Sequence, residues 1–115
     1  MIVDLSSLEI YVRPGVTDMR KQINGLSSIV EEGMGHSPMS GSLFLFCSRD
    51  RRLVKCIYWD RNGFCLWLKK LERDRFPWPQ TEEDVRQINL DELRMLLDGI
   101  DFWNAHKSIQ YAQCN

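Results

Sequence analysis

Apolar residues recur along this chain with two different periods, and each period predicts a different kind of element. Met19, Ile23, Leu26 and Val30 are spaced by four, three and four residues, which places their side chains on one face of an α-helix. Thr17 suits the N-cap of that helix and Asp18 its positive first turn. The helix is predicted to end near Gly33, whose missing Cβ permits a left-handed cap. Gly25, inside the helix, costs about 1 kcal/mol relative to alanine and is read as a mark of close packing against the sheet.

Three later segments, 43–47, 53–59 and 64–69, are rich in aromatic and branched residues and separated by short polar turns, so they predict an antiparallel meander. Asn62-Gly63 is the expected two-residue turn between the second and third, because both residues tolerate positive φ. Alternation sets Leu53, Lys55, Ile57 and Trp59 against Val54, Cys56 and Tyr58, and Cys65, Trp67 and Lys69 against Phe64, Leu66 and Leu68. Lys55 and Lys69 are taken to mark the wetter faces. Upstream, residues 9–12 form a short strand ended by Pro14-Gly15, with an edge that can pair with another copy.

Residues 35–41 read as a loop, and residues 73–80 as an extended crossing segment or edge strand that leaves the sheet, since Pro77 and Pro79 flank Trp78. Asn89 with Glu92 three residues on is a capping box, and Leu93, Leu96, Leu97 and Ile100 line the face of a second helix that stops at Gly99. The predicted architecture is α+β: an antiparallel meander sheet of about three to five strands packed with two main helices. It forms a single domain over residues 1–101, followed by a C-terminal tail, 102–115.

Length and composition agree with one soluble globular domain: 115 residues, 43% hydrophobic and 27% charged. No window approaches the ~20 apolar residues of a membrane helix, and the start has neither a basic n-region nor a long apolar stretch, so a cytoplasmic location is expected. Cys47, Cys56 and Cys65 are nine residues apart and form no close pair. They read as core thiols rather than metal ligands, and no cofactor is implied. His36 and His106 each stand alone in sequence.

Charge changes the picture. The net charge of −1 hides segments of −2 over residues 1–48, +5 over 49–75 and −4 over 76–115. Nine of the fifteen Lys and Arg residues lie in the middle segment, and it is local field that steers a polyanion. Arg49, Arg51 and Arg52 fall in the first hairpin turn, Arg61 in the second, and Lys69, Lys70, Arg73 and Arg75 after the third strand. With Arg20, Lys21 and Lys55 they form a candidate nucleic-acid surface. Tyr58, Trp59, Trp67, Phe76 and Trp78 fit either a core or a stacking platform. Among the acids, Asp18, Asp60, Glu72 and Asp101 are the candidates for metal-dependent phosphodiester chemistry, though each has a sufficient role in a helix start, a turn or a charge pair. Nothing resembles a phosphate-binding glycine loop or an activated nucleophile.

The same residues resemble a known family. Tyr11 with Pro14-Gly15-Val16-Thr17-Asp18-Met19-Arg20-Lys21, then Gly25-Leu26, Gly41-Ser42-Leu43-Phe44, Tyr58-Trp59-Asp60 and Gly63-Phe64-Cys65-Leu66 follow its order. Lys70-Leu71-Glu72-Arg73, Phe76, Trp78-Pro79, Leu96-Leu97 and Gly99-Ile100-Asp101 continue it. The pattern over residues 9–101 is similar to the small accessory proteins of insertion-sequence family sixty-six elements. The chain departs at Asp74, where the family usually carries glycine, and in its longer tail after Asp101. The resemblance implies a helper in transposition, encoded beside a larger transposase that holds the catalytic acids. Two readings follow: a non-catalytic protein that contacts DNA through the basic residues, or a module that docks on the transposase through exposed Phe76 and Trp78 and the acidic C-terminal helix.

Overall fold

The computed structural model describes residues 7–81 and 85–103. Among the described residues five strands form one sheet: β1 (Ile10–Val12), β2 (Leu43–Cys47), β3 (Leu53–Asp60), β4 (Gly63–Lys70) and β5 (Arg86–Ile88). Their spatial order is β4-β3-β2-β1-β5. β2, β3 and β4 make the expected antiparallel meander. The sheet as a whole is mixed, however, because β1 pairs with β2 in parallel. The helix between them, α1 (Ile23–Ser28), carries the chain back to the end from which β1 started, and such a crossover yields parallel neighbours. β5 then adds to the other side of β1, antiparallel. The strand at residues 9–12 is therefore interior and offers no edge to another copy.

Helices cover both faces of the sheet. On one, Leu26, Val30 and Met34 pack against Phe44, Phe46 and Ile57. On the other, α2 (Leu90–Leu97) brings Leu93 and Leu96 onto Ile10, Val12, Leu45, Val54 and Cys56, where Phe76, Trp78 and Phe102 complete the cluster. Burying both faces explains why β2 reads as an unbroken apolar run, all five residues buried. The capping box at α2 is present in full: Asn89 Oδ1 accepts from the Glu92 N–H at 2.8 Å and Glu92 Oε1 from the Asn89 N–H at 3.0 Å.

α1 starts later than its periodicity predicts. The Thr17 N–H donates to the Cys47 carbonyl at 2.9 Å and its hydroxyl accepts from Arg13 at 3.0 Å, so a long-range contact removes it from capping. Gln22 stands at the N-cap, with no side-chain cap bond. Beyond Ser28 the helix widens into a π turn over Ile29–Gly33, just after the Ser27 and Ser28 hydroxyls turn back onto the Ile23 and Asn24 carbonyls. The left-handed cap residue is Gly35, φ 70, not Gly33. Gly25 is crowded by a residue just before its helix rather than by the sheet: a Cβ there would stand 3.1 Å from Cβ of Lys21.

The β3–β4 turn is displaced by one residue from its expected place. Asp60 pairs with Gly63, so the loop is Arg61-Asn62, and Arg61 takes the positive φ of 52. Asp74 also adopts positive φ, 58. That backbone conformation is the one glycine adopts at least steric cost, which accounts for the glycine expected at this position from the resemblance.

Candidate nucleic-acid interface

Three loops meet at the end of the sheet where β3 begins and β4 finishes. The first is the β2–β3 turn, residues 48–52. The Ser48 carbonyl accepts from the Arg51 N–H at 3.1 Å, and the Ser48 Oγ accepts from the Leu53 N–H at 3.1 Å. Asp50 receives the Ser48 hydroxyl at 2.6 Å and the Arg52 N–H at 3.1 Å. Those donors hold its carboxyl below the usual range, the Ser48 hydroxyl foremost. Arg51 adopts φ 60, so this short loop is fixed by side chains as well as backbone.

The second loop, residues 71–76, is bonded directly to the first. The Leu71 N–H donates to the Arg52 carbonyl at 2.8 Å and the Phe76 N–H to the Arg51 carbonyl at 2.6 Å. The third, residues 16–20, is tied in by the Thr17 bond to Cys47, and Val16 to Arg20 share a shallow open recess with Ser48, Arg49 and Asp50. The fold thus gathers Arg20, Arg49, Arg51, Arg52, Lys70, Arg73 and Arg75 at one end. Apart from Arg51, half-buried, all of these are exposed.

Not every predicted basic residue joins them. Arg61 lies at the opposite end of the β3–β4 hairpin, beyond the seven residue steps from Leu53 to Asp60, about 23 Å of strand. Lys55 is buried, 3% exposed, and donates its Nζ to the carbonyls of Met19 at 2.8 Å and Lys21 at 2.9 Å. Lys69 donates to the Leu97 carbonyl at 2.8 Å, at the C-terminal end of α2 where a cation is favoured. The register sets Lys55 opposite Leu68 and Lys69 opposite Val54, so the two lysines lie on opposite faces, Lys55 buried beneath the loop before α1 and Lys69 half-buried at the end of α2. Lys21 is exposed beside the cluster, and its carbonyl serves Lys55.

Phe76 and Trp78 are 0% and 4% exposed, and the Trp78 indole N–H donates to the Arg13 carbonyl at 2.8 Å. Neither offers a docking surface. Trp67, 42% exposed, is the aromatic residue of the sheet most open to solvent, and it shares with Lys69 the face of β4 that alternation takes as the wetter one.

Acids temper the basic end. Asp18 accepts from the Arg20 guanidinium at 2.8 Å and from its backbone N–H at 2.9 Å. The Arg20 side chain and backbone N–H lower the Asp18 carboxyl to about 2. Glu72 and Asp74 are exposed within the second loop. Asp60 closes the far end of the hairpin, so it does not converge with Asp18 or Glu72. Among the described residues no group of three His, Cys, Asp or Glu side chains is placed to hold a metal ion. Burial pushes the Cys47 and Cys56 thiols up to about 12, the behaviour of core thiols; Cys114 lies outside the described residues.

A cleft of about 270 Å³ beside the interface is lined by Arg51, Trp78, Gln80, Arg86, Asp101 and Trp103, among others. Arg86 sits 5.7 Å above the Trp103 ring, whose indole N–H donates to the Pro77 carbonyl.

The family model described as IS66 Orf2 like protein matches residues 8–107 of the chain. Two uncharacterized proteins of Sinorhizobium fredii (strain NBRC 101917 / NGR234), y4hO and y4jC, are similar over 102 residues. The first is 36% identical, covering 89% of both chains; the second is 30% identical, covering 89% of this chain and 87% of the relative. No solved structure shows a significant match.

Proposed function

The chain belongs to the IS66 Orf2-like family, and from that premise we propose that it is a non-catalytic accessory protein of transposition that grips DNA by its phosphates at the basic end of the sheet. One observation carries the reading. Backbone hydrogen bonds from Leu71 and Phe76 to Arg52 and Arg51 unite two cationic loops, so that Arg49, Arg51, Arg52, Lys70, Arg73 and Arg75 act as one surface. Cations held on a rigid sheet end neutralise successive phosphates and fix the protein's register on a duplex without reading bases. Arg20, already engaged by Asp18, contributes less. The large transposase supplies the strand chemistry, and this protein supplies positioning.

Fluorescence anisotropy with a labelled duplex across a salt series tests the reading. Binding should weaken steeply with salt, by about −0.9 in logarithmic slope per phosphate contacted, and Arg52→Glu with Arg73→Glu should abolish it while circular dichroism stays unchanged. Duplex binding that is absent at low salt, or that survives this double reversal in a folded protein, would refute the assignment.

A further inference from the structure

We propose that the free edge of β4 joins two copies of this chain into one continuous sheet, the strands running antiparallel about Leu66. Natural edges are shortened, interrupted or charged along their length to prevent such pairing. β5, at the other edge, is only three residues long and has Arg86 exposed. β4 runs for eight residues in unbroken register with β3, contains no proline, and is charged only at Lys69 and Lys70. Trp67 is 42% and Leu68 51% exposed on it.

The backbone of this edge is available. The bond from the Leu71 N–H to the Arg52 carbonyl sets the phase of the hairpin, since hydrogen-bonded pairs in an antiparallel ladder recur every second residue. Odd-numbered residues of β4 therefore bond to β3. Phe64, Leu66, Leu68 and Lys70 direct their N–H and C=O groups outward, and among the described residues no strand receives them.

What identifies the occupant is the edge's self-complementarity. Two copies that show the same face on the same side are related by a two-fold axis perpendicular to the sheet, so outward residues must pair with outward residues. With the axis at Leu66, Phe64 lies opposite Leu68, Cys65 opposite Trp67, and Leu66 opposite itself. Lys69 then falls opposite Gly63, and Lys70 opposite Asn62. Every apolar side chain meets an apolar one and each lysine meets an uncharged residue, the pairing that stabilises adjacent strands. Moving the axis to Trp67 would set Phe64 against Lys70 and Cys65 against Lys69. The pattern favours one register. This inference does not depend on DNA contact.

Sedimentation of the full chain over about a hundredfold range of concentration tests it, because dimer formation follows mass action. The expected result is a species of twice the chain mass at the upper end. Leu68→Lys sets a lysine opposite Phe64 and should weaken the dimer tenfold or more without altering the circular dichroism. In a Cys114→Ser background, Trp67→Cys sets a new thiol opposite Cys65 of the second copy, in a non-hydrogen-bonded pair with Cα atoms ~4.5 Å apart, within disulfide reach. Mild oxidation should give a covalent dimer whose peptide masses join positions 65 and 67. A chain that stays monomeric throughout overturns the proposal, whether its edge is covered by its own residues or reserved for a transposase strand. So does a dimer that tolerates Leu68→Lys and yields no 65-to-67 link.

Discussion

Lys55 and Met19, far apart in sequence, are joined by a hydrogen bond of 2.8 Å from the lysine Nζ to the methionine carbonyl oxygen. A second bond, to the Lys21 carbonyl at 2.9 Å, completes the clasp. The lysine stem crosses the core face beneath the loop, and its ammonium satisfies two backbone acceptors that the late start of α1 leaves outside the helix. Lys55→Met keeps the stem and removes the donor. We expect it to lower stability by about 1–3 kcal/mol, the cost of leaving such groups unpaired, measured by urea denaturation. Affinity for DNA should be unchanged, which separates Lys55 from the exposed cations.

The two ends of the hairpin should behave differently. Arg52→Ala and Arg73→Ala are each expected to reduce the logarithmic salt slope of duplex binding by about 0.9, one phosphate contact apiece. Arg61→Ala, at the far turn beyond about 23 Å of strand, should leave slope and affinity as they were. Equal losses at all three positions would mean that DNA lies along the sheet rather than across its end.

Asp18 gives a pH signature. Its carboxyl falls from an ordinary 3.8 to about 2 because Arg20 bonds to the ionised form. A depressed carboxyl contributes stability above its unfolded value, and loses it as pH falls through the folded one, so the contribution disappears between about 4 and about 2. The pair is open to solvent, with side chains 91% and 41% exposed, and its worth is correspondingly small. Carboxyl NMR should place the Asp18 midpoint near 2, and Arg20→Ala should return it toward 3.8.

Asp74 holds a backbone conformation that glycine takes more readily, at φ 58. Asp74→Gly should therefore raise stability by up to about 1 kcal/mol, the steric relief exceeding the entropy glycine adds to the unfolded chain. Thermal unfolding would show an upward shift. Because the substitution also removes a carboxylate from the basic end, duplex binding should tighten at low salt.

Local chemistry was the legible part of this fold. The capping box of Asn89 and Glu92, the meander and the stop at Gly99 depend on residues within a few positions of one another, and all appear in the structure. What sequence could not supply were contacts between distant segments. Thr17 looks like a cap until Cys47 accepts its N–H, and Lys55 looks wet until the Met19 loop folds over it. β1 reads as an edge until β5 arrives on its far side. At the basic end, the membership of Arg49, Arg51, Arg52, Lys70, Arg73 and Arg75 was visible as charge, whereas the removal of Lys55 and Arg61 needed the register of β3. Phe76 and Trp78 were open between core and surface, and the Trp78 bond to Arg13 draws the second of them inward.

The place of β1 also governs the order in which the molecule can be completed as it is made. A ribosome releases Ile10–Val12 long before one of the two neighbours of that strand, Arg86–Ile88. Until then a nascent chain carries an open strand in the middle of its future sheet, with Ile10 and Val12 lacking the cover of Ile88, Leu93 and Leu96. Such an intermediate is prone to pair with its neighbours. Chains broken off before residue 86 are thus expected to accumulate as insoluble material, and the yield of folded protein in the cell would then follow how often translation passes β5.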